Sequence, residues 1–434
     1  MKRPQLSEFI KRMDSNAVAI FAAAPEAVRS NDTNYRYRPD SDMLYLTGFE
    51  EPDALIIIAP KREKPFTMFV RPKDKEREIW DGFRYGAEGA VASFGADEAF
   101  PINELPAKLG DYLNGVHTLY YCVGKYDEPD EIIFNEIRRL RAGGRKKMFA
   151  PTHIINPTVI VHEMRLFKSP EELDIMQRAA DISAAAHVEA MQTVKPGMNE
   201  FEVEAMMDYY FRKHGAGASA YGSIIGGGAN ATVLHYVSNN APLNGGDLLL
   251  IDAGAELKGY AADITRTFPI NGKFSKEQRE IYDLVLETQV SCVDMVRPGV
   301  TNDDIKNHSI RMITEGLLRL GLLQGDADKI IEEKKYEAFY MHGLGHYLGI
   351  DVHDVGLYYI DGEPRPLEPG MVMTVEPGIY IGVDNQEVPA AYRGIGVRIE
   401  DDVVCTGNGP RVLTNKVPKN ADEIEVLMAN AKEG

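Results

Sequence analysis

The chain contains the same pattern twice, and this repeat constrains its fold more than any other feature. The segment Val194–Asn199 (VKPGMN) recurs as Val296–Thr301 (VRPGVT), each between two helical patterns. Farther along, Gly246–Asp252 (GDLLLID) matches Gly370–Glu376 (GMVMTVE), where a glycine, an apolar strand pattern and an acid follow one another. Either match alone has an even chance of coincidence, because proline-glycine pairs commonly end helices and strands often end at acids. Both matches in one order predict a duplicated domain whose halves each end a strand on a carboxylate.

A different pattern precedes the repeat. Apolar strand-like runs, such as 17–23 and 66–70, alternate with polar helical stretches such as 130–141, which favours an α/β domain. The segment Ser169–Glu172 (SPEE) then places a capping hydroxyl, a first-turn proline and two acids before a long helical pattern. We therefore expect an α/β domain over residues 1–168 and an α+β domain with an internal pseudo-two-fold repeat over residues 169–434.

Composition excludes several classes of partner. The 66 acidic residues outnumber the 48 basic ones, giving a formal net charge of −18, and nucleic-acid binding needs clustered cations instead. The three cysteines lie far apart, which disfavours both a disulfide framework and a thiolate metal site and is typical of a reducing compartment. No apolar run approaches the length of a membrane span. We expect a cytoplasmic protein with no nucleic-acid or membrane partner.

The acids that end the repeated strands point to metal binding. A carboxylate after several apolar residues is costly when buried and unpaired. Exposure at the strand end or pairing with an arginine is the ordinary explanation for one such acid. Here Asp252 and Glu376 are symmetric, and each is followed by a second acid, Asp263 and Glu400 respectively. Two pairs of carboxylates from two related halves favour a metal site.

Strand alternation in the run Val397–Asp402 (VRIEDD) indicates which side chains converge. Arg398 and Glu400 should share one face, because successive side chains of a strand point to opposite faces. We expect Arg398 to hold a nearby carboxylate in place. Asp402 shares the face of Glu400, so alternation does not choose between them, whereas Asp401 lies on the opposite face and is expected to be structural.

A glycine-rich run, His342–Asp354 (HGLGHYLGIDVHD), contains three of the ten histidines. Its glycines disfavour a long helix, and the His-Glu-x-x-His pattern of a helix-borne single zinc is absent. We expect this run to form one wall of the site and to contribute a histidine ligand. Four carboxylates and one histidine suit manganese, with cobalt or zinc possible, and four negative charges match two divalent cations. Chelation should therefore inactivate the protein and loosen the second domain.

Together these motifs resemble the metal-dependent pita-bread peptidases, and within them the aminopeptidase P family of Xaa-Pro aminopeptidases. The resemblance spans nearly the whole chain and rests on segments 251–254 (IDAG), 262–266 (ADITR), 342–354, 374–378 (TVEPG) and 397–401 (VRIED). It implies a creatinase-like α/β N-terminal domain and a pita-bread catalytic domain. It also implies five metal ligands, choosing Glu400 over Asp402: Asp252, Asp263, His346, Glu376 and Glu400.

The resemblance further implies release of the N-terminal residue from peptides with proline in second position. A water or hydroxide bridging two ions would attack the carbonyl, and Glu376 would transfer its proton. His353 and His235 would line the site against substrate or oxyanion, with His342 near the substrate and Tyr380 a weaker candidate. In this family the N-terminal domain restricts the site across a homodimer or homotetramer contact. Trp80, the only tryptophan, is the residue to examine for that role, with simple packing as the alternative.

Two alternatives remain at this stage. Prolidase, an Xaa-Pro dipeptidase, shares the ligands and closely similar histidine motifs, so peptide length is the dividing question. Segments 35–49 and 389–396 favour aminopeptidase P. Pita-bread domains also occur as metal-free modules that bind peptides or proteins, but such relatives have lost ligands, and here every ligand position is occupied.

Overall fold

A computed structural model describes residues 4–433 of the chain. The contacts between residues divide the chain into two compact units. Unit 1 is Met1–Arg165 and unit 2 is Leu166–Gly434. Within the described residues, no helix combines the length and the apolar character needed to cross a membrane.

Unit 1 is built on one mixed sheet in the strand order β6-β5-β4-β1-β7-β8. Its strands, with a separate hairpin β2–β3, are β1 Ala17–Ala22, β2 Val28–Ser30, β3 Thr33–Asn34, β4 Leu55–Ile58, β5 Phe66–Val70, β6 Glu98–Pro101, β7 Thr118–Tyr120 and β8 His153–Ile155. Its α-helices are α1 Pro4–Arg12, α2 Ser41–Thr47, α3 Lys75–Asp81, α4 Gly86–Phe94, α5 Leu105–Leu113, α6 Asp127–Ala142 and α7 Thr158–Leu166, the last of which runs into unit 2. Short 3-10 turns lie at Ile102–Glu104 and Gly144–Lys146.

Strand β1 explains why its sequence is apolar without interruption. It pairs with β4 along one edge and with β7 along the other, so it lies in the interior of the sheet. Ala19 and Phe21 belong to one hydrophobic cluster, whereas Val18 and Ile20 belong to another on the opposite face of the sheet. Helices on both faces of a largely buried sheet are the α/β arrangement that the alternating pattern predicts.

Unit 2 contains several small sheets and long helices. The α-helices are α8 Pro170–Thr193, α9 Glu200–Lys213, α10 Lys276–Asp294, α11 Asn302–Arg319, α12 Ala327–Glu332 and α13 Ala421–Glu433. The strands are β9 Ala218–Ser219, β10 Ile224–Gly227, β11 Leu248–Asp252, β12 Ala255–Leu257, β13 Tyr260–Ala261, β14 Thr265–Pro269, β15 Tyr359–Ile360, β16 Glu363–Pro364, β17 Val372–Val375, β18 Gly378–Tyr380, β19 Gly396–Arg398, β20 Asp401–Thr406 and β21 Gly409–Val412. Three 3-10 turns lie at Gly228–Thr232, Lys335–Ala338 and Ala390–Tyr392.

The first helix of unit 2 begins as its sequence predicts. The Ser169 hydroxyl accepts a hydrogen bond from the Glu172 backbone N–H, and the Glu172 carboxylate accepts one from the Ser169 N–H. This reciprocal capping box satisfies two backbone donors that would otherwise lack partners at the helix start.

The internal repeat is visible in the backbone. Gly197 and Gly299 have φ angles of 93° and 89°, and each donates its N–H to a leucine carbonyl just before a strand segment, Leu243 and Leu367 respectively. Asn199 caps α9 and Thr301 caps α11, each within a capping box. The equivalent glycines that precede β11 and β17, at positions 246 and 370, both have φ 98°. Two related halves therefore build unit 2.

Each half also places its acids in the same way. β11 pairs antiparallel with β14, and β17 pairs antiparallel with β20. Asp252 ends β11 and Asp263 lies shortly before β14, while Glu376 follows β17 and Glu400 lies just before β20. Each of the two antiparallel pairs thus contributes two acids. One lies at the end of the first strand, and the other lies just before the second strand begins.

Candidate metal centre

The local backbone brings the His342–Asp354 run against β17. His346 and Thr374 exchange two hydrogen bonds: the Thr374 N–H donates to the His346 carbonyl at 2.9 Å, and the His346 N–H donates to the Thr374 hydroxyl at 3.0 Å. The Glu376 N–H donates to the carbonyl of Leu344 at 2.8 Å. This pairing fixes the position of His346 relative to the acid that follows β17. As expected from its glycines, the run contains no long helix within the described residues.

Asp252 lies beside a close backbone crossing that only glycine allows. A Cβ atom at Gly254 would lie 1.7 Å from the carbonyl oxygen of Ala262, the residue before Asp263. The tight approach brings the ends of β11 and β13 together, and with them the two aspartates of the first half. Glycine is therefore required at position 254, because any side chain there would clash with the backbone of Ala262.

Four of the five predicted ligand residues lie close together, and Asp252 is joined to Asp263 through the hydroxyl of Tyr221. His346 Nε2 lies 3.5 Å from Asp263 Oδ2 and 3.6 Å from Glu376 Oε1. Asp263, His346 and Glu400 each offer one ligand atom, and these atoms all lie within 4.8 Å of one another. The carboxylates are largely inaccessible to solvent, with Glu400 only 1% exposed.

The pKa shifts of these residues show that the cluster favours a bound positive charge. Burial raises the pKa of Glu376 to about 7 and that of Glu400 well above its usual range, and the charge of Asp263 acts on both in the same direction. Burial, with the charge of Asp252, raises the pKa of Asp263 as well. Burial opposes protonation of His346, but Asp263, the charge of Glu376 and the carbonyl of Tyr347 together outweigh burial and raise the pKa of His346 to about 9. Positive charge is therefore favoured at this position, and hard oxygen donors with one imidazole fit divalent cations such as manganese or zinc.

Arg398 fixes the position of the Asp252 carboxylate through a hydrogen-bonded ion pair. Its guanidinium donates to Asp252 Oδ2 at 2.6 Å and to the Thr265 hydroxyl at 3.1 Å. The Thr265 hydroxyl in turn donates to Glu400 Oε2 at 2.6 Å. Arg398 thus links an acid of the first half to an acid of the second.

Tyr221 is a member of the site that sequence reasoning missed. Its hydroxyl lies 2.7 Å from Asp252 Oδ1 and also contacts Asp263 Oδ1. It lies in the segment between β9 and β10 and belongs to no motif. Neither spacing nor periodicity signalled this contact, because the fold alone brings Tyr221 to the two aspartates.

The three wall histidines lie near the acid cluster. His342 Nε2 lies 2.9 Å from the Tyr380 hydroxyl, and burial, with the charge of Arg398, lowers the pKa of His342 to about 4. The ring of His353 stands edge-on to that of His346, with centroids 4.3 Å apart. His235 is exposed, and its charge lowers the pKa of both His342 and His353.

The acids next to Glu400 divide as alternation predicts. Asp401 points away from the cluster and forms buried ion pairs with Arg266 at 2.8 Å and Lys419 at 2.6 Å. Asp402 faces the cluster, where its Oδ2 accepts a hydrogen bond from the Asp263 N–H at 3.1 Å. Asp401 is therefore structural, as expected, and Asp402 supports the backbone at Asp263.

Comparison with known families covers both units. Residues 174–407 match the model of metallopeptidase family M24, and residues 3–120 match the N-terminal domain of aminopeptidase P. The Xaa-Pro aminopeptidase of Escherichia coli is 45% identical over 98% of this chain and 96% of the relative. Human Xaa-Pro aminopeptidase 3 is 34% identical over 96% of this chain and 82% of the relative.

Solved structures agree with these relatives. The aminopeptidase PepP of Pseudomonas aeruginosa superimposes with a TM-score of 0.98 at 48% identity, covering 99% of this chain and 98% of the other. A zinc-substituted E. coli aminopeptidase P in complex with product superimposes with a TM-score of 0.96 at 44% identity, covering 99% of both chains. The expected two-domain fold is thereby confirmed, and the chain belongs to metallopeptidase family M24, in the pita-bread group that carries the N-terminal domain of aminopeptidase P.

Proposed function

We propose that this chain is a metal-dependent Xaa-Pro aminopeptidase, which releases the N-terminal residue from peptides with proline in second position. The observation that carries the proposal is the buried cluster of acids and one histidine contributed by both halves of unit 2. Near full-length relatives bearing the name Xaa-Pro aminopeptidase support the choice of substrate.

Five residues would hold two divalent ions: Asp252, Asp263, His346, Glu376 and Glu400. Manganese is our choice of metal because the donor set is mostly carboxylate oxygen, with cobalt and zinc as the next candidates. Bound ions would supply an activated water nucleophile and polarise the scissile carbonyl.

The surrounding side chains would handle protons and orientation. Glu376 would accept a proton from the attacking water and deliver it to the leaving proline nitrogen. His353 or His235 would donate a hydrogen bond to the developing oxyanion, and His342 would contact the substrate. Arg398 would keep Asp252 oriented through its hydrogen bond to Oδ2.

Peptide length separates this proposal from prolidase. The experiment compares metal-loaded protein on an Xaa-Pro dipeptide, an Xaa-Pro-Xaa tripeptide and a matched Xaa-Ala-Xaa tripeptide. We expect cleavage of the proline tripeptide with release of its first residue and little cleavage of the alanine control. Cleavage of the dipeptide alone would identify a prolidase. Protein that takes up no metal when metal is supplied, and that binds the peptides without cleaving them, would identify a binding module.

Several finer features belong to the same proposal. We place the domain boundary between Lys168 and Ser169, where the capping box of α8 begins. We propose a cytoplasmic homodimer or homotetramer in which Trp80 contacts a neighbouring chain. Trp80 is 84% exposed on α3, and nearby Ile79 and Phe83 are 81% and 65% exposed, which together make an apolar surface suited to such a contact.

A further inference from the structure

Glu200, the first residue of α9, is a buried carboxylate with an unusually complete set of donors. It is 0% exposed, whereas its neighbour Phe201 is 55% exposed. Oε1 accepts hydrogen bonds from the Gly227 N–H and the Asn230 side-chain amide, both at 2.9 Å. Oε2 accepts from the Tyr236 hydroxyl and the Ala241 N–H, both at 2.8 Å. Four donors offset the desolvation of the carboxylate, which would otherwise be costly to bury.

These donors bracket one segment, residues 228–241, which we call the His235 loop. Gly227 precedes the loop, Asn230 lies in its first turn, Tyr236 follows His235 directly, and Ala241 ends it. One carboxylate therefore fastens the beginning, the middle and the end of the loop. The loop lies between β10 and β11, the strand that ends at Asp252.

A second side chain strengthens the same attachment. Asn239 is 1% exposed, and its side chain accepts a hydrogen bond from the Ile225 N–H at 3.0 Å and donates one to the Ser223 carbonyl at 2.8 Å. Both partners lie on or beside β10. The loop thus folds back along the strand that precedes it.

His235 itself lacks any comparable anchor. Among the described residues, its ring makes no hydrogen bond, and the side chain is exposed. The position of the His235 ring therefore depends on the backbone of the loop. The contacts of Glu200 determine where that backbone lies.

We propose that Glu200 is a positioning residue that holds the His235 loop so that His235 faces the metal centre. The proposal rests on the proposed function for the role of His235 in catalysis. The anchoring of the loop does not depend on that function, so the two can be tested separately.

Two substitutions test the anchoring. Glu200→Gln keeps the size of the side chain but turns a nitrogen toward two of the four donors, and Glu200→Ala removes all four bonds. Hydrogen exchange measured by mass spectrometry should become faster in residues 228–241, more so for alanine than for glutamine. Glu204→Gln, one turn farther along the same helix, is the matched control and should leave exchange in this loop unchanged, because Glu204 lies outside the capping box of Asn199. Unchanged exchange in both Glu200 variants would overturn the proposal.

Kinetics then tests whether Glu200 acts through His235. Glu200→Ala should lower kcat/KM for an Xaa-Pro-Xaa peptide by an order of 100-fold, the typical cost of misplacing a catalytic group by about 1 Å. Bound metal per chain should stay at the wild-type value, because the loop carries none of the five proposed ligands. Combining Glu200→Ala with His235→Ala should cause little further loss beyond His235→Ala alone, whereas fully additive losses would overturn the proposal.

A milder variant covers the case in which Glu200 variants fold poorly. Tyr236→Phe removes one of the four donors and leaves the carboxylate in place, so it should accelerate exchange of the loop by a smaller factor. Wild-type exchange in Tyr236→Phe together with failed folding of both Glu200 variants would overturn the proposal in favour of a purely structural role. Wild-type protein that cleaves no Xaa-Pro peptide would overturn the proposed function, while the exchange measurements would still decide the anchoring.

Discussion

Replacing Arg398 should destabilise unit 2 most strongly when metal is absent. The Arg398 side chain is 4% exposed, and its guanidinium donates to Asp252 at 2.6 Å, to the Tyr380 hydroxyl at 3.0 Å and to the Thr265 hydroxyl at 3.1 Å. Arg398→Met retains an apolar side chain of similar reach but removes the charge and all three hydrogen bonds. Asp252 would then lose its buried cationic partner.

The magnitude follows from these contacts. The bond to the Asp252 carboxylate contributes about 1.5–3 kcal/mol, and each bond to a hydroxyl contributes about 1 kcal/mol. The expected loss is about 4 kcal/mol, within the range of about 3–5 kcal/mol for breaking a buried ion pair. Bound divalent ions would compensate the charge of Asp252, so metal-loaded protein should lose less free energy of unfolding than metal-free protein.

Hydrogen exchange in β11 and β14 is a suitable assay because these strands report on unit 2 alone. The free energy of opening is compared between wild type and Arg398→Met, with and without metal. The control is Arg319→Met, since Arg319 pairs with Glu287 at 3.4 Å where both side chains are more than 60% exposed. This exposed pair should contribute less than about 1 kcal/mol. A loss below about 1 kcal/mol for metal-free Arg398→Met, or equal losses with and without metal, would refute the reasoning.

Two further predictions concern catalysis and acid stability. Glu376→Gln should lower kcat by a factor of about 10²–10⁴ and leave the circular dichroism spectrum unchanged. The control, Glu368→Gln on the exposed surface, should keep wild-type kcat. Near-normal turnover of Glu376→Gln would contradict the proposed role of Glu376 in proton transfer. In unit 1, burial opposes ionisation of Asp42, but a hydrogen bond from His162 and the charge of Arg165 lower its pKa from 3.8 to about 2. The resulting stabilisation, about 2 kcal/mol, is present above the unfolded-state pKa and should disappear as pH falls from about 5 to about 2. Hydrogen exchange in the buried strands β1 and β4 of unit 1 should show this loss in wild type as the pH falls, and an equally steep loss in Asp42→Asn would contradict it.

The sequence predicted the parts of the site that local rules govern. Buried acids at the ends of two equivalent strands are costly without a partner, so Asp252 and Glu376 stood out from the pattern alone. The capping box at Ser169 and the uninterrupted apolar pattern of β1 are likewise short-range features, and both are present.

Alternation across Val397–Asp402 gave the correct faces, although the run is not one continuous strand. β19 pairs with β18 and ends at Arg398, and β20 begins at Asp401 and pairs with β17. The chain changes partners at the residues between them, where the Glu400 N–H donates to the Thr265 carbonyl. Local periodicity cannot detect such a change, because it depends on strands distant in sequence.

The contacts that sequence reasoning missed are all long-range. Tyr221 contacts aspartates 31 and 42 positions away, and Glu200 contacts donors 27 to 41 positions away. Lys168 forms a buried ion pair with Asp354 across 186 positions, next to His353. A single tyrosine, glutamate or lysine has no periodicity that marks its partner, so only the folded arrangement identifies these residues.

Metal content measured together with peptide cleavage tests the dinuclear site and its function in one experiment. Protein is stripped by exhaustive chelation and then titrated with Mn²⁺, Co²⁺ or Zn²⁺, while bound metal per chain and cleavage of an Xaa-Pro-Xaa peptide are recorded at each step. We predict that activity disappears on stripping, that two ions bind per chain, and that activity returns with manganese as the most effective metal. Undiminished cleavage by protein that contains no metal would contradict the proposed function.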